Sequence, residues 1–307
     1  MDSKDHARTK AIKEVGSAKA LSETSKRWVI SLISGGLFIV FSCSSVLAQQ
    51  PARSNPTSRS RSVTTKTSPT ARVTPPINSS SLSSNDPQQL LNAGQAAQDQ
   101  GRFDEAIRLY NRVIALSTDH SHIAALANFR IGNAYMAQGK FGNAEVAFEH
   151  AVALNPADAE SYNNLGEALG ELKQYPRAIQ AFNKAVSLDP ELPKAKYNQA
   201  VSYDRMGNFR YSEFVFRNLI RSNPGYSLAY DGLAVTLSKA GRAKEAIAFH
   251  EKAIALDPRE PSYYYNCALS YLMLGDTTKA LKQQEKLKTI DPVVADRLAS
   301  VIVKHQM

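Results

Sequence analysis

From about residue 87 onward, apolar residues recur at helical spacing in short runs, and the runs themselves recur every 34 residues. A small residue keeps this step as Gly132, Gly166, Ala200, Ala234 and Ala268, and a second series runs Ala144, Ala178, Ser212, Ala246 and Ala280. Large residues keep it as Tyr135, Leu169, Tyr203, Leu237 and Tyr271, and again as Phe148, Phe182 and Phe216, continued by His250 and Gln284. A chain breaker marks mid-repeat at Gly139, Gly207, Gly241 and Gly275, with Lys173 as the exception. Each unit therefore reads as two short amphipathic helices joined by a turn. Small residues let the pair approach closely, and large ones fill the space to the neighbouring unit.

The clearest punctuation is a proline ladder, Pro156, Pro190, Pro224, Pro258 and Pro292, each preceded by an acid or an amide. Proline supplies a fixed φ and no N–H, which suits a sharp boundary or a first helical turn. The segment 293–305, with Val294, Leu298, Val301 and Ile302 at helical spacing, is expected to cap the last unit's apolar face.

This pattern resembles the tetratricopeptide repeat (TPR). In residues 159–192, Tyr162, Leu165, Gly166, Leu169, Tyr175, Ala178, Phe182, Ala185 and Pro190 fall on the family's signature spacing. The frame gives repeats 125–158, 159–192, 193–226, 227–260 and 261–294. An earlier unit, 87–120, matches through Gly94, Gly101, Phe103, Ala106 and Tyr110 but has Thr118 in place of proline. Gly94 and Gly132 are 38 residues apart, so an extra helical turn or a looser loop is expected near Ser121–Ala124. The resemblance implies an all-α fold: a right-handed TPR solenoid of antiparallel helix pairs over 87–294, closed by a capping helix at 295–307.

The first 86 residues do not follow the period. Residues 28–48 carry no charge and follow Lys26 and Arg27. The stretch Trp28–Phe41 has the length of a signal-peptide core, and Val46-Leu47-Ala48 fits a cleavage site. The full 21 residues also suffice for a membrane span with the N-terminus inside. A third reading comes from Val40, Ser42 and Cys43, which resemble a lipobox, with Phe41 bulkier than that motif favours. Residues 1–48 are thus expected to be a signal peptide or membrane anchor, and 49–86 a disordered Ser/Thr/Pro/Arg-rich linker. Under all three readings the repeats lie outside the cytoplasm, in a periplasm, a lumen or the medium.

The net charge of +9 points to nucleic acid only until it is divided along the chain. Residues 87–307 hold 25 basic and 23 acidic side chains, so most of the excess sits in the leader and linker. There it suits anionic lipid headgroups or cell-wall polymer rather than nucleic acid. With Cys43 in the leader and Cys267 at a core position, no disulfide framework is available.

No phosphate loop, dinucleotide fingerprint, zinc spacing or nucleophile triad stands out, and no cofactor or metal is expected. His120 and His122 lack a third ligand nearby, and His250 falls on an aromatic core position, where its ring needs a hydrogen-bond partner. The informative surface is the concave one, lined by each first helix. Asn92, Asn164, Asn198 and Asn266 share one repeat position, broken by Arg130 and Gly232. The resemblance extends here to the asparagine ladder of the TPR superhelix in O-linked N-acetylglucosamine transferases. An amide both donates and accepts, so a row of them holds a peptide backbone without reading its sequence. Asn133, Asn164, Lys194 and Asn198 also resemble the carboxylate clamp of co-chaperone TPR domains, although Phe129 and Asn198 replace two expected cations. Toward the C-terminus the face turns apolar through Val201, Val235 and Leu269, flanked by Tyr197 and Tyr265.

The expected peptide-binding set is Asn92, Arg130, Asn133, Asn164, Lys194, Asn198, Tyr265 and Asn266. The expected function is a non-enzymatic interaction scaffold or assembly factor, exported or membrane-tethered, holding a protein or peptide partner. A second reading makes the repeats the recognition subunit of an enzyme complex, such as a glycosyltransferase, with catalysis on another chain. A third makes them a self-associating structural module.

Overall fold

The computed structural model describes residues 28–33, 36–41, 85–117 and 122–306. Cys43, His120 and residues 49–84 of the linker expected at 49–86 lie outside these residues. Trp28–Ile33 (β1) and Gly36–Phe41 (β2) pair antiparallel, with Trp28 opposite Phe41. Among the described residues no helix is long and apolar enough to cross a membrane.

The repeat domain is all-α and its helices come in pairs. The first unit is α1 (Pro87–Asp99) with α2 (Phe103–Leu116), and the second is α3 (His122–Gln138) with α4 (Phe141–Leu154). Next come α5 (Ala159–Glu171) with α6 (Tyr175–Leu188), and α7 (Pro193–Arg205) with α8 (Phe209–Ser222). Last are α9 (Ser227–Lys239) with α10 (Ala243–Leu256), and α11 (Pro261–Met273) with α12 (Thr277–Ile290). The cap, α13 (Pro292–Gln306), begins three residues before the expected boundary, with the last ladder proline as its first residue.

The extra residues at the first joint form helix. The first helices of the other pairs have 13 residues, whereas α3 has 17 and starts at His122. The mid-repeat turns are left-handed helix ends. Lys173 takes φ 61° where the other five units place glycine at φ 70–80°. In each, the next residue's N–H returns to a carbonyl in the preceding helix, as in Gln174 to Leu169 at 2.8 Å.

The residue before each ladder proline closes the second helix, and in four of five its side chain bonds the backbone beyond. Asn155, Asp189, Asp257 and Asp291 accept from the N–H of Ala157, Glu191, Arg259 and Val293. This turn chemistry explains why acids and amides precede the prolines.

The buried rings belong to cores that span neighbouring units, as expected, and they also nest on small residues. A Cβ on Gly132 or Gly166 would stand 2.5 Å from the ring of Phe148 or Phe182, so each ring nests on the glycine of its own repeat. Tyr110 does the same on Gly94. The third full repeat has Ala200 at that position, and its Phe216 ring instead occupies the space over Gly232 in the next repeat, again at 2.5 Å. The break in the asparagine ladder at Gly232 is therefore a packing requirement.

Candidate functional site

On the concave face, α3, α5 and α7 bring together Asn133, Asn164 and Asn198, joined by two residues that sequence reasoning missed, Asn163 and Glu167. Asn164 Nδ2 donates to Asn133 Oδ1 at 2.8 Å, and Asn163 Nδ2 donates to Asn164 Oδ1 at 3.1 Å. Glu167 Oε1 accepts from Asn163 and Asn198, both at 2.8 Å. Asn198 also reaches Asn163 Oδ1 at 3.2 Å. The result is a continuous amide–carboxylate chain across three repeats. Asn133 Nδ2 is buried with no partner, a donor left over in the groove wall.

Loss of water raises the Glu167 pKa. Lys194 and the two asparagine amides oppose that rise without cancelling it. Lys194 thus belongs with the cluster electrostatically. Arg130 stands beside Tyr110, whose phenol is pushed up to about 12, mainly by burial. Phe129, which replaces a clamp cation, packs against Phe148 with ring centroids 6.0 Å apart.

Other members of the expected set lie elsewhere. Asn92 is exposed on α1 and accepts from Gln88 of the same helix at 3.2 Å. Tyr265 and Asn266 are buried within α11, whose residues from Ser262 to Leu272 are all buried. Tyr265, Leu269 and Leu272 form one core with Val294, Leu298 and Ile302 of α13, and β2 runs against α11. The Tyr265–Leu272 end of the face is thus covered in this structure.

The Asn266 amide turns inward to Asp231 Oδ2 at 3.0 Å. There it joins a second network. His250 Nδ1 lies 2.8 Å from Asp231 Oδ1, and its Nε2 lies 3.2 Å from Ser270 Oγ. Ser270 is also 2.8 Å from Ser238 Oγ. This order of serine, histidine and acid has the spacing of a nucleophilic triad. Ser270 and His250, however, have no exposed surface, so a substrate carbonyl has no route to Oγ. The network ties α9, α10 and α11 together and supplies the partner that a buried imidazole needs. A third cluster pairs the buried Lys239 with Asp204, which also accepts from Thr236 at 3.2 Å.

Cys267 is buried, and its thiol is pushed up to about 12 by desolvation first and by Glu251 and Asp231 next. His122 heads α3. Among the described residues no group of three or more His, Cys, Asp or Glu side chains is placed to hold a metal ion.

Family models described as tetratricopeptide repeat match residues 88–157, 129–193 and 197–261. A crystal structure of MamA protein is similar at TM-score 0.50 and 25% identity, covering 58% of this chain and 94% of that one. A tetratricopeptide repeat protein from Parabacteroides merdae is similar at TM-score 0.57 and 21% identity, covering 71% and 84%. PilW, described as a widely conserved type IV pilus biogenesis factor, is similar at TM-score 0.58 and 19% identity, covering 67% and 94%. No curated protein matches the chain.

Proposed function

The chain belongs to the tetratricopeptide repeat family, and from that premise we propose that it is a non-enzymatic scaffold or assembly factor that holds a peptide or partner protein along its concave face. The observation that carries this reading is the amide–carboxylate chain from Asn133 to Asn198. Backbone carbonyls of a bound peptide suit the part-exposed amides of Asn164 and Asn198, and its N–H groups suit their carbonyls. Recognition then belongs to the N-terminal half of the face, around Asn133, Asn164, Asn198 and Lys194. A photoreactive residue at position 164 or 198 is expected to trap a partner in cells. Asn164→Ala with Asn198→Ala should cut capture from a probe at Arg130 at least tenfold. Trapping only from convex positions would sink the reading.

Export or membrane tethering is part of the same proposal and rests on the charge-free stretch behind Lys26 and Arg27. Mass spectrometry of the mature N-terminus separates the routes: a chain beginning at Gln49, an acylated Cys43, or a full leader in the membrane fraction. An intact leader on a soluble cytosolic protein overturns it.

A further inference from the structure

The convex surface departs from the repeat at α8. Its outward positions carry Arg210, Phe214, Arg217 and Arg221 at helical spacing, with Tyr211 alongside. At the position of Phe214 the other full repeats place Val146, Gln180, Ala248 and Lys282, so no periodic packing role calls for an aromatic there. Phe214 is 63% exposed and Tyr211 56%, and Tyr211 is held by a stacked contact with Tyr203 at 5.5 Å. Two aromatic rings on the surface keep a large apolar area in water.

Elsewhere on the chain, α2, α3 and α4 enclose an open cleft of about 320 Å³ at the joint where the period lengthens. Ile131, Tyr135, Val146 and Ala147 supply apolar lining, beside four polar side chains, Asn143 and His150 among them. Gly142 leaves open space where a side chain would stand. A cavity of about 150 Å³ holds one benzene ring, so the cleft has room for a phenyl ring and part of a second. The two surfaces differ in the sign of their charge. Arg210 and Arg221 have no ion-pair partner among the described residues, whereas α4 presents Glu145 and Glu149 to a single cation, Arg177.

We infer that this chain self-associates head to tail, with Phe214 and Tyr211 of one copy seated in the α2–α3–α4 cleft of the next. Donor and acceptor surfaces lie on different repeats, so each added copy leaves a free aromatic pair at one end and a free cleft at the other. Two rings bury little area by the standard of stable complexes, so the association is weak and depends on protein concentration.

Sedimentation of the full chain over a concentration series tests this through two surface variants. Phe214→Glu removes the donor and keeps the cleft, and Val146→Arg blocks the cleft and keeps the donor. Each alone should weaken association at least tenfold with an unchanged circular dichroism spectrum. Mixed together, the two variants should form a one-to-one dimer that grows no further. Three results overturn the inference: a wild-type chain that stays monomeric, variants that associate like wild type, or a mixture that stays monomeric. A monomeric wild type that binds phosphatidylserine vesicles and loses them on Phe214→Glu would assign the patch to a membrane instead.

Discussion

Glu167 keeps its carboxyl group deep in the concave face, where desolvation outweighs the help of Lys194, Asn163 and Asn198 and raises the pKa. Below the ordinary glutamate range, folded and unfolded chains both hold the proton. As pH rises the unfolded chain releases it first, so stability falls through the window between the ordinary and the raised value. Above that window the folded chain carries the full penalty of a desolvated charge. Glu167→Gln keeps a carbonyl acceptor for both asparagines and removes the charge. We expect a higher urea midpoint at pH 7 and a flatter stability profile just above the ordinary glutamate range. An unchanged midpoint with an unchanged profile would show that the carboxylate bears no penalty.

Among the helices, α7 is joined to α9 through the buried Asp204–Lys239 pair. Removing one buried partner leaves the other charge uncompensated, at about 3–5 kcal/mol. Lys239→Met should therefore lower stability by about that much, and adding Asp204→Leu should recover most of it, since an apolar pair of similar volume replaces the ions. Urea titrations of the two variants check this. A double variant no more stable than the single one would mean that Asp204 matters through Thr236 rather than through the ammonium. Helix phases, turns and the lengthened first joint were legible in the sequence, because a 34-residue period aligns equivalent positions. Cross-repeat pairing was not. Glu167 stands in register with Asn133, Val201, Val235 and Leu269, and alignment within a period gives no sign that it meets Asn198 from the first helix of the next repeat. Asn266 shows the reverse: it shares the ladder position, but the acid at Asp231 draws its amide inward.

At the scale of the whole molecule, the two ends of the solenoid are built differently. The concave face of the N-terminal half carries part-exposed amides. The C-terminal half is closed by α13, whose Val294, Leu298 and Ile302 are buried against α11 and α12. A solenoid needs such a cover because its last unit has no neighbour. Truncation before Pro292 is expected to cost roughly 1.5–3 kcal/mol for each of these three side chains, read as a lower melting temperature with increased light scattering. A truncated chain that melts and scatters like the full one would show that the helix does not serve as a cap.

The displacement of Phe216 onto Gly232 reaches into how such a chain can evolve. The first three repeats carry their own ring and their own glycine, and a duplication or deletion at their borders keeps each ring over its glycine. The third and fourth full repeats are not independent in this way. A border cut between Gly225 and Ser227 strands the Phe216 ring on one side and its glycine on the other, and separates Asp204 from Lys239. Loss or duplication of one of these two repeats alone breaks both contacts, whereas a change that takes the pair together keeps them.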